Sequence, residues 1–127
     1  STETDEFEKS WERSLKRDLP ASIRTVMFLE YPITDFRHRY LLGFWPYQLR
    51  LTLQSASALR KLGIRTIIKR HPDGVQVSDG VYDGFFDENL IEPFESVIDR
   101  ADAFLFTNIA TTTFASALLT EKPVICF

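Results

Sequence analysis

Two short clusters in this chain carry the residue types that bind an anion. Lys69, Arg70 and His71 close a β-branched run, Ile64 to Ile68, and stand directly before Pro72. Thr111, Thr112 and Thr113 follow an apolar run, 103–106, and open a segment, 114–118, that reads as a helix. An ammonium, an imidazole and the free amides of a helix N-terminus are all donors aimed at negative charge, so the chemistry they point to is phosphate binding. In an open α/β sheet, ligands collect beyond the carboxyl ends of the strands. If both apolar runs are parallel strands, the two clusters face one crevice.

Each residue also has a plainer use. The residue before a proline is pushed towards extended backbone, so His71 projects from its strand end, to meet either a ligand or the loop backbone. Lys69 and Arg70 leave an extended strand on opposite sides, so only one of them easily reaches the crevice and the other is a solvated cation at the surface. A threonine satisfies the first helix amides on its own, so the triplet is either a cap or an anion site. Arg37, His38 and Arg39 form a basic knot in the segment after the first strand. Arg39 is a candidate for bidentate recognition of a diphosphate, and a solvated loop cluster is the alternative.

The elements needed to position these groups can be read along the chain. Residues 22–31 form an apolar run expected to be buried on both faces, as in a parallel strand. Pro46 opens and Gly63 closes a helix with Leu49, Leu53, Ala56, Leu59 and Leu62 at helical spacing. The run 64–70 is the second strand, 75–86 is a Gly- and Asp-rich excursion, and Pro93 starts a helix whose Phe94, Val97, Ile98 and Ala101 face the core. A strand, the threonine-initiated helix and a last strand at 124–127 complete the series. Phe7, Trp11 and Leu15 make an apolar stripe on an N-terminal helix that either docks on the domain or links it to another. Alternating βα units predict a Rossmann-like, three-layer α/β domain with a parallel sheet. The G-x-G-x-x-G dinucleotide fingerprint is absent, which disfavours a classical nicotinamide dehydrogenase.

The order and spacing of Lys69-Arg70-His71-Pro72, Ala101-Asp102 through Phe106, Thr111-Thr112-Thr113 and Lys122-Pro123-Val124-Ile125 resemble the carboxyl-terminal half of a GT-B glycosyltransferase. The likeness is to enzymes that build bacterial capsule, lipopolysaccharide and teichoic acid polymers, with the CDP-glycerol glycerophosphotransferases as cousins, and it covers roughly residues 60–127. It implies a donor-binding domain for a nucleotide sugar, with Lys69, His71 and the threonines on the diphosphate. It implies no cofactor and no bound metal. The family carries an acidic residue on the helix after the hydroxyl cluster, where it holds the donor's ribose, and Ser116 stands at that position here. A serine hydroxyl bonds a ribose less strongly than a carboxylate does.

A chain of 127 residues, 44% hydrophobic and 26% charged, suits one globular domain. A GT-B enzyme has two such domains with its chemistry between them, so the expectation is half an enzyme, inactive alone. It would be truncated at both ends, with residues 1–20 as helix or linker and 21–127 as the nucleotide-sugar-binding domain. The acceptor domain would be its missing partner, and a lipid-linked or polysaccharide chain its acceptor. A net charge of −3 argues against a nucleic-acid partner. The lone Cys126 lies in an apolar run and reads as a buried thiol, compatible with a reducing compartment. No run approaches the ~20 apolar residues of a membrane span. The expected location is therefore cytoplasmic, including the inner face of a membrane. The alternatives are a non-catalytic Rossmann-like binding or scaffold module, and a sugar-nucleotide epimerase of a related two-domain fold.

Overall fold

The computed structural model describes residues 9–14, 20–30, 45–71, 80–106 and 112–126, with Glu6 and Arg17. Its elements are β1 (Thr25–Leu29), α1 (Trp45–Lys61), β2 (Arg65–Lys69), β3 (Glu88–Leu90), α2 (Phe94–Val97), a 3₁₀ turn (Ile98–Arg100), β4 (Ala103–Phe106), α3 (Thr112–Leu118) and β5 (Val124–Cys126). The strands form one five-stranded sheet in the order β3-β2-β1-β4-β5, with every pairing parallel. The expected Rossmann-like α/β fold is present.

Both faces of the sheet are covered. Val26, Phe28, Ile68 and Leu105 pack with Ala56 and Leu59 of α1. The alternate residues Met27, Ile67, Phe104 and Phe106 pack with Phe94 and Val97 of α2 and Ala117 of α3. This period-two division is why the strands read as unbroken apolar runs rather than alternating ones. Residues 9–14 are helical, and Trp11 packs against the α1 side, where its Nε1–H donates to the buried Ser55 Oγ at 2.7 Å. The N-terminal helix therefore docks on the domain itself; Phe7 and Leu15 lie outside the described residues.

Gly63 ends α1 at φ +80°. Its N–H donates to the Arg60 carbonyl and the Ile64 N–H to the Leu59 carbonyl, both at 3.0 Å. These two bonds are the Schellman pattern, which needs the left-handed conformation at this residue. Leu62, read from its spacing as part of the helix, lies past the helix end and is exposed.

A strand that the sequence did not announce follows the excursion. Residues 80–85 are turn, but 88–90 form β3, a three-residue strand on β2. Asp87 secures it: its Oδ2 accepts from the Thr66 backbone N–H at 2.8 Å and from Thr66 Oγ1 at 3.2 Å, and its own N–H donates to the Thr66 carbonyl at 2.9 Å. Asp102 does the same for β4 on β1. Its Oδ2 accepts from the Arg24 and Thr25 N–H groups at 2.9 and 3.0 Å, and its N–H donates to the Thr25 carbonyl at 2.9 Å. Each aspartate precedes a strand and satisfies the amino end of the strand beside it.

Asp102→Ala strips two amides of their acceptor and is expected to cost about 1–3 kcal/mol in urea unfolding. The Thr66 backbone bond holds the Asp87 carboxyl below the usual aspartate range. A carboxyl depressed in the folded state stabilises above the unfolded pKa of about 3.9 and loses that contribution as pH falls through its folded value. Asp87→Asn should therefore flatten the fall in stability below pH 4, and a wild-type slope in the variant would remove this role.

Candidate functional site

The register sets the strands flush at their carboxyl ends. Leu90, Lys69, Leu29, Phe106 and Cys126 form one row across the sheet, each paired with the next. The row brings the end of β2 and the end of β4 to one rim, as the sequence predicts, two strand spacings or about 10 Å apart with β1 between them. Strand order reverses between β1 and β4, so the topological switch point, where ligands of such sheets bind, lies at Leu29 and Phe106. Helices α1 and α3 both begin at this end, and neither carries an acidic residue in its first turn.

The side chains at the rim are arranged around Glu30, the residue after β1. Its backbone N–H donates to the Lys69 carbonyl at 3.0 Å. Its Oε1 accepts the His71 backbone N–H at 3.0 Å, and its Oε2 accepts the Tyr82 hydroxyl at 2.7 Å. One carboxylate thus ties the end of β1 to the end of β2 and to the turn before β3. Tyr82 is buried, with its ring edge-on to Phe86 at 5.8 Å, and Phe86 is edge-on to Phe28 at 5.1 Å.

Lys69 is buried, and its Nζ donates to the Arg70 carbonyl at 2.7 Å. Desolvation lowers its pKa, while the charges of Glu30, Glu92 and Glu95 oppose that shift. Arg70, expected at the surface, is also buried, being only 6% exposed. Its N–H donates to the Leu90 carbonyl at 2.8 Å, so β3 extends over it. Alternation along β2 alone puts it at the surface, without the neighbouring strand β3. His71 is half-buried.

Thr112 and Thr113 occupy the first turn of α3, and Thr113 is half-buried. Ser116 is half-buried one turn later, beside the fully buried Ala117. Thr111, Asn108 and the Arg37-His38-Arg39 knot lie outside the described residues. Cys126 is exposed rather than buried, because β5 pairs on one side only among the described residues and its side chains are thinly covered.

Sequence reasoning missed Glu30 and Tyr82. The signal for Glu30 was available, since it is the charge that terminates the apolar run 26–29, as Lys69 terminates 64–68. Tyr82 stands in the Gly/Asp-rich excursion and carries no such mark.

Two open grooves, of about 260 and 540 Å³, lie elsewhere. They flank the carboxyl end of α1, against Lys9, Arg13 and Leu62 in one and Arg60, Gly84 and Phe85 in the other. That is the opposite end of the sheet from the rim. Among the described residues no three His, Cys, Asp or Glu side chains gather as a metal site, and no helix is long and apolar enough to cross a membrane. Comparison with protein families, with curated proteins and with solved structures finds no match to this chain.

The Tyr82 phenol is pushed far above 10 by burial and by the charge and hydrogen bond of Glu30. The unfolded chain loses this proton near pH 10 while the folded chain keeps it, so the contribution is whole below about pH 10 and shrinks as pH rises beyond it. Tyr82→Phe should cost about 1–3 kcal/mol at pH 7 and flatten the stability loss between pH 10 and 11. Urea melts across that range measure both, and equal slopes in the two proteins would contradict the bond.

Proposed function

We propose that this chain binds the nucleotide-sugar donor of a glycosyltransferase, as the donor half of a GT-B enzyme in bacterial surface-polysaccharide assembly. The observation that carries the reading is the shared rim. The basic end of β2 and the start of α3 at Thr112 stand at one end of a parallel sheet, on either side of its switch point. The starts of α1 and α3 lack first-turn acids, which leaves their amides open to negative charge.

The chemistry would be displacement of a nucleoside diphosphate from the sugar's anomeric carbon. The domain would stabilise the negative charge that grows on the leaving diphosphate, through the threonine hydroxyls, the helix amides and the His71 imidazole. Because α3 has only seven residues, its dipole is short, and hydroxyl and side-chain donors would carry more of the binding. The acceptor and its activating base would belong to a second domain, so this chain alone would transfer nothing.

One observation favours a second reading, a non-catalytic binding or scaffold module. The Lys69 ammonium already donates to the Arg70 carbonyl, and the charges of Glu30, Glu92 and Glu95 act on it from within the protein.

Titration calorimetry with UDP, CDP and GDP separates the two. The donor reading expects saturable binding of at least one nucleotide. It also expects Thr112→Val/Thr113→Val to weaken that binding by about 0.5–3 kcal/mol per lost bond to a charged oxygen. The scaffold reading expects no nucleotide to bind, or a double variant that loses stability while binding holds.

A further inference from the structure

Glu30 has no part in the donor chemistry just described, although it stands at the switch point itself. It follows Leu29, which pairs with both Lys69 and Phe106, and among the described residues it is the one carboxylate at the ends of β1 and β4. Both oxygens are held, one by the His71 N–H and the other by the Tyr82 hydroxyl. The Tyr82 ring is fixed in turn by burial and by its edge-on contact with Phe86. Two hydrogen bonds hold the carboxylate in this position.

We infer that Glu30 is the resident anion of the crevice and its specificity-determining residue, so that a phosphate reaches the basic end of β2 only in competition with this carboxylate. The inference rests on the reading of the crevice as a phosphate site. The charges facing Glu30 and its neighbours are Lys69 and Arg70 from β2 and Glu92 and Glu95 from the β3–α2 side. Lys69 is thereby surrounded by carboxylates, and a further anion adds to their repulsion.

The penalty grows with the charge the ligand concentrates at one place. Inorganic pyrophosphate places several charges on one small ion. A diphosphate esterified at both ends carries one charge on each phosphorus and brings hydroxyl groups. Each Glu30 oxygen accepts one protein hydrogen bond and keeps acceptor capacity for a ligand hydroxyl. Glu30 therefore selects diphosphate diesters bearing a sugar over free pyrophosphate.

Inorganic pyrophosphate is the probe, titrated calorimetrically into the wild-type chain and into Glu30→Gln, Glu30→Ser and Glu30→Asp, with a thermal melt of each. Removing one unit charge a few ångströms from the anion should tighten pyrophosphate about tenfold in the neutral variants. Either neutral variant suffices if the other fails to fold. Glu30→Asp keeps the charge and should stay within about twofold of wild type. A neutral variant that folds and binds pyrophosphate no more tightly than wild type overturns the role of Glu30 and leaves the crevice reading standing. Equal tightening in Glu30→Asp overturns it too, since geometry rather than charge would then be responsible. No pyrophosphate binding by any folded variant overturns the role of Glu30, while the crevice reading falls only if UDP, CDP and GDP fail to bind as well.

Discussion

A strand that is paired along both edges and covered on both faces has nowhere to keep charge except at its ends, and β1 is such a strand. Val26, Met27 and Phe28 are at most 1% exposed, and each such side chain contributes about 1.5–3 kcal/mol by its burial. The polar groups of β1 are concentrated at its two termini. At the amino end Asp102 takes the amides of Arg24 and Thr25, and at the carboxyl end Glu30 takes the His71 amide just past β2 and the Tyr82 hydroxyl. The first carboxylate fixes where β4 lies along β1. The second fixes where the end of β2 and the turn before β3 lie. The flush rim follows from both.

The rim is also where this economy creates tension. Flush strand ends bring Lys69, Arg70 and Glu30 together, and the neighbouring β3 covers Arg70. Burial lowers the Lys69 pKa, and the surrounding carboxylates work to keep it charged. A basic strand end with carboxylates close by attracts a free anion less than its sequence suggests. Recognition must then come from directed donors, such as the threonine hydroxyls and helix amides, rather than from bulk positive charge.

The fold was largely legible because its signals are local. Apolar runs of four to five residues, Pro46 and Gly63 around α1, and Pro93 before α2 give the element order without tertiary knowledge. The strand β3 was not legible, because three residues, Glu88, Asn89 and Leu90, with only Leu90 buried, leave no periodicity to detect. That omission propagated. Without β3, Arg70 is assigned to the surface by alternation along β2 alone, whereas its amide is taken by the Leu90 carbonyl. Cys126 fails for a related reason, since an apolar residue in a strand reads as buried when the strand's lateral position is unknown. The candidate site was legible at His71 and at Thr112 and Thr113 as far as position goes. Its organising carboxylate was not, because the partnership of Glu30 with His71 and Tyr82 spans 41 and 52 residues of sequence.

The motifs that resemble the glycosyltransferases divide by what they do in this molecule. Asp102 of the Ala101-Asp102 pair clamps β1. Lys122 of the Lys122-Pro123 pair donates through Nζ to the Ile98 and Ala101 carbonyls at 2.9 and 2.8 Å, satisfying a helix end, with the ammonium 5.9 Å from the Phe104 ring centre. Both residues serve the frame, so their presence speaks for a sheet built this way and not for a reaction. Lys69 belongs partly with them, since its ammonium is spent on a backbone carbonyl. The case for donor binding therefore narrows to His71 and the threonine turn. A loss of binding on replacing Asp102 or Lys122 would report only a disturbed frame, whereas loss at Thr112 and Thr113 with stability intact would report the chemistry.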